Sequence, residues 1–153
     1  MNKTAQKRRP VCRLLFLAYC ALMLWLLFGQ RVTDGSIQFS PGTADQVNFV
    51  PLETIRLYIR LLKNGASPSL LRHAVVNLVG NVVMFVPLGW FLPAVWNKLR
   101  KFYKTFLLSA GLICAVEAFQ FATSLGSCDV DDLMLNLLGV VLGYGIWRLS
   151  HRK

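Results

Sequence analysis

The chain has 153 residues, of which 55% are hydrophobic, and it carries a formal net charge of +10. Its length suits one domain, but the apolar fraction excludes an ordinary soluble domain and indicates an integral membrane protein. Four apolar stretches approach or exceed the roughly 18 to 20 residues that a membrane-spanning helix requires. They are residues 11–29, 74–96, 105–125 and 132–149.

The basic residues are concentrated in three segments that contain no acidic residue. These segments lie at the start of the first span, between the second and third spans, and after the fourth span. Cytoplasmic segments of membrane proteins carry such an excess of Lys and Arg. We therefore expect both termini and residues 97–104 to be cytoplasmic in a bacterial cell membrane, and we interpret the net charge as a topology signal rather than as evidence for nucleic-acid binding.

The first span resembles a signal peptide in its basic flank, but no small-x-small cleavage site follows it before Arg31, so we expect a retained anchor. The four cysteines do not form a framework. Cys12 lies at the cytoplasmic edge, Cys20 and Cys114 lie within spans, and Cys128 alone lies outside. We expect no disulfide, no metal site and no cofactor.

A helix is predicted within the long external connection, residues 30–73. Pro51 suits a first turn, Glu53 favours the amino-terminal end, and Gly65 is typical of a stop.

This external helix is predicted to be amphipathic. Arg56, Arg60 and Lys63 recur on one face, next to an apolar stripe. We expect the helix to lie in the outer membrane interface, where its basic face could bind anionic headgroups or an anionic ligand. The alternative is a packing helix whose polar face is only solvated.

Several polar residues lie within the spans, and counting from the outer span ends at about 1.5 Å per residue places them all in the outer half of the bilayer. They are Asn77, Asn81, Glu117, Gln120 and Asn136.

Their spacing places polar stripes on three helices: Asn77 with Asn81, Glu117 with Gln120, and, if the last helix begins by residue 129, Asp129 with Asp132 and Asn136. Ionisable groups in hydrocarbon generally face a bundle interior or a water-filled cavity. We therefore predict a polar pocket that is open to the outside and lined by these side chains. The alternative is that the amides only join helices and that Glu117 is protonated or bonded to an amide.

The segment "SCDVDDLMLN" contains three of the seven acidic residues, Asp129, Asp131 and Asp132. Asp129 or Asp131 could serve only as a helix cap. Asp132 is the residue on which we rest the prediction of a functional pocket, because it shares a helix face with Asn136.

Small residues and prolines predict how the helices pack. Gly139 and Gly143 form a small-xxx-small face. Further close approaches are predicted at Gly80, Gly89, Gly111 and Gly145. Pro87 removes a backbone hydrogen bond to the carbonyl near Val83, so we expect a kink and a carbonyl in need of a partner.

Three separated motifs resemble those of the VanZ-like family. They are "NFVPLETIRLYI" at 48–59, "NLVGNVVMFVPLGWFLP" at 77–93 and "EAFQFATSLGSCDVDDLMLNLLGVVLGY" at 117–144. The resemblance covers residues 48–144 in order. It departs from the family pattern at Cys128, where an aromatic residue is usual, and at Gly126, in a region where many members carry arginine.

The resemblance implies a multi-pass envelope protein associated with resistance to the glycopeptide teicoplanin, but it implies no reaction. Our leading hypothesis is a non-enzymatic protein whose outward pocket binds an amphiphilic or lipid-linked molecule, with membrane lipid, a lipid-linked wall precursor or a lipoglycopeptide as partner. The alternative is an enzyme acting on a cell-wall lipid, with Glu117 as general base or with the three aspartates as ligands of a divalent cation. A transporter or channel is disfavoured because the cytoplasmic half of the spans has no matching polar path.

Overall fold

The computed structural model describes residues 3–29, 47–123 and 128–151. Helix α1 spans Lys3–Leu24 and continues as a π-helical turn, Trp25–Gly29; α2 spans Glu53–Asn64, α3 Pro68–Val95, α4 Phe102–Ala122 and α5 Val130–Ser150. Two short strands, β1 at Val47–Asn48 and β2 at Cys128–Asp129, and a 3-10 turn at Asn97–Leu99 complete the fold. Four helices are long and apolar enough to cross a membrane, namely Pro10–Phe28, α3, α4 and α5. This confirms the predicted all-α membrane bundle.

The helix ends differ from the predicted spans because capping residues, and not hydropathy, decide where a helix begins. Helix α3 begins at Pro68 rather than at residue 74, since Ser67 and Pro68 provide a starting turn before the apolar run. Helix α5 likewise begins at Val130, and α4 ends at Ala122.

Helix α2 begins at Glu53, after a turn formed by Pro51 and Leu52. Leu52 has φ 68° and is the one non-glycine residue with positive φ in the described part of the chain. Gly65 ends the helix at φ 69°, with its N–H bonded to the carbonyl of Leu61. The predicted stop at Gly65 is confirmed, because glycine adopts this left-handed conformation without a steric penalty.

Helices α3 and α5 pack against each other more extensively than any other pair. A Cβ added at Gly139 would overlap the carbonyl oxygen of Val82, and one added at Gly143 would overlap that of Val86. Because these contacts advance in the same direction along both chains, the two helices run parallel. The small-xxx-small face is therefore used within the chain, where it brings the two backbones together.

The predicted close approaches at the other glycines are confirmed only in part. A Cβ added at Gly89 would overlap the carbonyl oxygen of Val140, which makes Gly89 part of the same seam. A Cβ at Gly111 or Gly145 would meet nothing within 4 Å, and one at Gly80 would meet only a side-chain atom at 3.9 Å. These three glycines lie away from the seam, so those predictions were wrong.

Helix α1 packs along α3 in the opposite direction. Phe16 contacts Phe91 and Trp96 near the end of α3, and the hydroxyl of Tyr19 donates to the carbonyl of Met84 at 2.9 Å. Met84 directly follows Val83, whose carbonyl loses its helical hydrogen bond because Pro87 has no N–H. The tyrosine therefore bonds to the carbonyl next to that of Val83, and a partner for the Val83 carbonyl itself stays a prediction.

The bundle has two distinct ends. The α2 end contains β1, β2, α2 and the first turns of α3 and α5. The terminal end contains the start of α1, the turn Asn97–Leu99 and the end of α5; there the hydroxyl of Tyr144 donates to the carbonyl of Arg100 at 2.7 Å. The three basic segments therefore share one end of the bundle, and its placement in the cytoplasm stays a prediction.

Candidate functional site

Asp129 is the N-cap residue of α5. Its backbone is extended, with φ −120° and ψ 124°, and its Oδ1 accepts a hydrogen bond from the backbone N–H of Asp131 at 2.8 Å. A short carboxylate at this position satisfies an amide that has no partner within the helix. The interpretation of Asp129 as a cap is confirmed.

Asp131 caps a different helix. Its side chain is fully buried, with Oδ1 accepting from the N–H of Leu52 at 2.6 Å and Oδ2 from the N–H of Ile55 at 3.0 Å. Leu52 occupies the N-cap position of α2 and has no side-chain oxygen with which to satisfy these amides. The carboxylate from α5 therefore replaces the missing cap and also complements the dipole of α2.

A chain of side-chain hydrogen bonds continues from this contact. The hydroxyl of Thr54 donates to Asp129 Oδ2 at 2.6 Å, and Asn48 Nδ2 donates to that hydroxyl at 3.0 Å. Strands β1 and β2 pair in parallel, with Asn48 opposite Asp129. We call Asn48, Thr54, Asp129 and Asp131 the aspartate clasp, because together they fasten the beginning of α2 to the beginning of α5.

Asp132 points instead toward α3. Asn81 Nδ2 donates to Asp132 Oδ1 at 2.7 Å, and Asn77, one turn earlier on α3, lies beside the same carboxylate. Asn136 is buried one turn further along α5, with 4% of its surface exposed. The Oδ1 atoms of Asn77 and Asn136 are buried and have no hydrogen-bond partner among the described residues. The structure thus brings Asn77, Asn81 and Asp132 together, as the polar stripes suggested.

Glu117 lines a cavity of about 320 Å³ between α4, β2 and α5 at the α2 end, which we call the Glu117 cavity. Apolar and small side chains form most of its wall, and Asp129 lines it while both of its carboxylate oxygens are bonded to Thr54 and to the N–H of Asp131. The lining residues are Phe49, Cys114, Glu117, Ala118, Cys128, Asp129, Val130 and Leu133. Gln120 is half-buried on the same helix but does not line this cavity.

The acidic groups form one electrostatic neighbourhood, as two side chains outside the spans show. Burial raises the pKa of the Tyr58 hydroxyl, and the nearby carboxylates of Asp132 and Asp129 raise it further. Burial likewise raises the pKa of the Cys128 thiol, with Glu117 and Asp129 adding to the effect. Negative charge nearby disfavours a phenolate or thiolate.

The three clustered aspartates do not converge on one point. The carboxylate of Asp131 binds the amides of α2, that of Asp129 binds Thr54 and its own helix, and that of Asp132 binds Asn81. Within the described ranges, no three His, Cys, Asp or Glu side chains form a group that could hold a metal ion. The geometry therefore gives no support to the cation-binding enzyme.

The basic face of α2 contributes to a second cavity, of about 370 Å³, which we call the arginine cavity. It is lined by Val50, Pro51, Glu53, Arg56, Leu57 and Arg60. Lys63 is exposed in the last turn of α2 and does not line it. Arg56 and Arg60 are brought together, whereas Lys63 is separate.

Sequence reasoning missed Phe49, Thr54 and Tyr58 as members of this region. One signal was available for the clasp: a helix whose N-cap position holds leucine must obtain its cap from elsewhere. The segment before α5 contains three aspartates, which is more than one helix requires for its own cap. One of them could therefore have been predicted to cap α2.

Comparison with known proteins identifies the family. Residues 16–151 match the family model described as VanZ/LLP1. The chain is 28% identical to Protein VanZ of Enterococcus faecium over 76 residues, a match that covers 50% of this chain and 47% of that protein. The chain thus spans about half the length of the curated relative. No solved structure matches the chain. With most of its length matched and four helices able to cross a membrane, this multi-pass membrane protein belongs to the VanZ/LLP1 family.

Proposed function

We propose that this protein lowers the susceptibility of the cell to teicoplanin-like glycopeptides by binding an amphiphilic or lipid-linked molecule in the Glu117 cavity. The first part of this proposal rests on membership of the VanZ/LLP1 family, together with the association with teicoplanin resistance that the resemblance to VanZ-like proteins implies. The second part rests on one observation, the presence of Glu117 in the wall of an otherwise apolar cavity at the α2 end.

The composition of the Glu117 cavity suits an amphiphile. Phe49 and Leu133 offer apolar surface to a hydrocarbon chain, while Glu117 would offer an acceptor to a hydroxyl, amide or ammonium group. Such sites are typically apolar with a few placed polar groups that fix orientation. An intramembrane carboxylate is costly to retain without a function.

We further propose that the α2 end faces the outside and the terminal end faces the cytoplasm, as the distribution of basic residues indicates. The Glu117 cavity then lies near the outer leaflet, where a lipoglycopeptide or a lipid-linked wall precursor arrives. Asp132, Asn77 and Asn81 lie beside this region and would hold the ligand or the helices that surround it.

The test is Glu117→Gln in cells that express the protein at its normal level. Loss of a hydrogen bond to a charged group costs about 1.5–3 kcal/mol, which is about tenfold or more in affinity. We expect teicoplanin susceptibility to rise, and Glu117→Asp to restore part of the resistance because it keeps the carboxylate.

Asn97→Ala, an exposed amide at the terminal end, is the control and should leave susceptibility unchanged. Equal susceptibility of the wild type and Glu117→Gln, at matched protein levels, would show that Glu117 is structural. Turnover of an isoprenoid-linked wall precursor by the purified protein would replace the binding hypothesis with an enzymatic one.

A further inference from the structure

We propose that the arginine cavity binds the phosphate group of an anionic membrane phospholipid. This site is separate from the Glu117 cavity and does not depend on the function proposed for it. The two cavities flank the segment 49–51, with Phe49 on one side and Val50 and Pro51 on the other.

The position of α2 along the bundle is the first argument. Asp131 is the second residue of the membrane-spanning helix α5, and its carboxylate holds the first amides of α2. The first turn of α2 therefore lies level with the end of a membrane span. Lipid phosphates occupy this level of a bilayer, whichever leaflet the α2 end faces.

The chemistry of the cavity is the second argument. Arg56 and Arg60 are one helical turn apart and both line it. Guanidinium groups match phosphate oxygens with paired hydrogen bonds and are preferred for phosphate recognition. Two arginines in one cavity thus give a phosphate several charge-assisted donors.

The apolar surroundings favour a lipid over a soluble phosphate. Leu57 and Val50 line the cavity, and both are more than half exposed. A cluster of exposed apolar side chains around two arginines is the arrangement of a surface that inserts into the acyl boundary while its cations contact headgroups.

Glu53 makes the prediction more specific, because its carboxylate lines the same cavity and carries the same sign as the phosphate. Like charges within a cavity repel. Glu53→Gln should therefore strengthen phospholipid binding, whereas loss of the arginines should weaken it.

The experiment measures binding of dioctanoyl-phosphatidylglycerol to the purified full chain in an uncharged detergent. Dioctanoylglycerol has the same chains without the phosphate, and inorganic phosphate has the anion without the chains. We expect the phospholipid to bind, dioctanoylglycerol to bind much more weakly, and inorganic phosphate to compete poorly. Inorganic phosphate that binds as tightly as the phospholipid would overturn the assignment to a lipid.

The variants test the location. Arg56→Gln/Arg60→Gln should weaken phosphatidylglycerol binding by about tenfold or more. Arg100→Gln/Arg148→Gln removes the same charge from exposed positions at the terminal end of the bundle and should change binding by less than about twofold, because distant exposed charges are screened. An equal loss in both double variants, or no strengthening by Glu53→Gln, would place the lipid elsewhere and overturn the proposal. Unchanged thermal unfolding midpoints without lipid would show that all variants are folded.

Discussion

Asp131 Oδ1 accepts a hydrogen bond from the backbone N–H of Leu52, 79 residues earlier in the chain, at 2.6 Å. One carboxylate thereby fastens the start of α2, which lines the arginine cavity, to the start of α5, which lines the Glu117 cavity. The clasp does not itself need to touch a ligand to matter for binding.

Removing this carboxylate should release α2. Asp131→Ala leaves two amides at the start of α2 without their acceptor. Loss of a helix cap costs about 0.5–2 kcal/mol, and a buried unpaired group costs about 1–3 kcal/mol. We expect amide hydrogen exchange in α2 to accelerate while exchange in α4 is unchanged. Asp131→Asn retains one acceptor oxygen and should accelerate exchange less than Asp131→Ala does. Equal protection of α2 in the wild type and in both variants would contradict the role of the clasp.

The seam between α3 and α5 can be tested with a matched pair of glycines on one helix. Gly143→Ala introduces a Cβ that overlaps the carbonyl oxygen of Val86. Overpacking of this kind destabilises by about 1–3 kcal/mol. The measurement is the free energy of unfolding from SDS titration in mild detergent.

Gly145→Ala provides the control, because its Cβ would meet nothing within 4 Å. Alanine is favoured over glycine in a helix by about 0.5–1 kcal/mol, so this variant should be neutral or slightly stabilised. A similar loss at Gly143 and Gly145 would mean that backbone flexibility, rather than close approach, explains the effect.

Tyr144 anchors the basic turn at the terminal end through its bond to the carbonyl of Arg100. Tyr144→Phe keeps the ring that packs edge-on against Phe102 at 5.2 Å but removes the hydroxyl. We expect a loss of about 1 kcal/mol in the free energy of unfolding. Tyr103→Phe, where 54% of the residue is exposed, should cause no measurable loss.

Cys128 can report both topology and charge at the α2 end. In a variant that retains only this cysteine, an impermeant thiol reagent should label intact cells if the α2 end faces outside. Burial and the neighbouring Glu117 raise the thiol pKa, so fewer thiolates exist at neutral pH and labelling should accelerate as the pH is raised. Glu117→Gln should increase the rate at neutral pH.

A chain that retains only Cys12, at the other end of the bundle, is the topology control and should react only after permeabilisation. Labelling of Cys12 but not of Cys128 in intact cells would invert the proposed orientation.

The helices, and the glycine that ends α2, were predictable because they follow from local signals, namely apolar length, proline and a left-handed stop. The partner of Asp131 was not predictable by the same means. It depends on two segments that meet only in the folded bundle, and Leu52 shows no local sign of its positive φ. The glycines show the same limit, since Gly143 and Gly145 lie on one helix but only one of them faces α3.

The spacing of the polar residues predicted that Asp132 would contact the asparagines of α3. Asn81 does donate a hydrogen bond to Asp132. The spacing could not show that Asp131 and Asp132 contact different helices. Adjacent residues on a helix point in directions about 100° apart, and the rotation of α5 in the bundle depends on its packing against the other helices. That rotation turns one carboxylate toward α2 and the next toward α3.

The long-range nature of the clasp also has a consequence for biosynthesis. Residues 52–55 leave the ribosome well before residue 131, so α2 is made while its capping carboxylate does not yet exist. Until the last span has been inserted, the amides at the start of α2 must be satisfied by water or lipid headgroups. The α2 end is therefore the part of the protein that is completed last, and correct insertion of α5 both completes the wall of the Glu117 cavity and supplies the cap of α2.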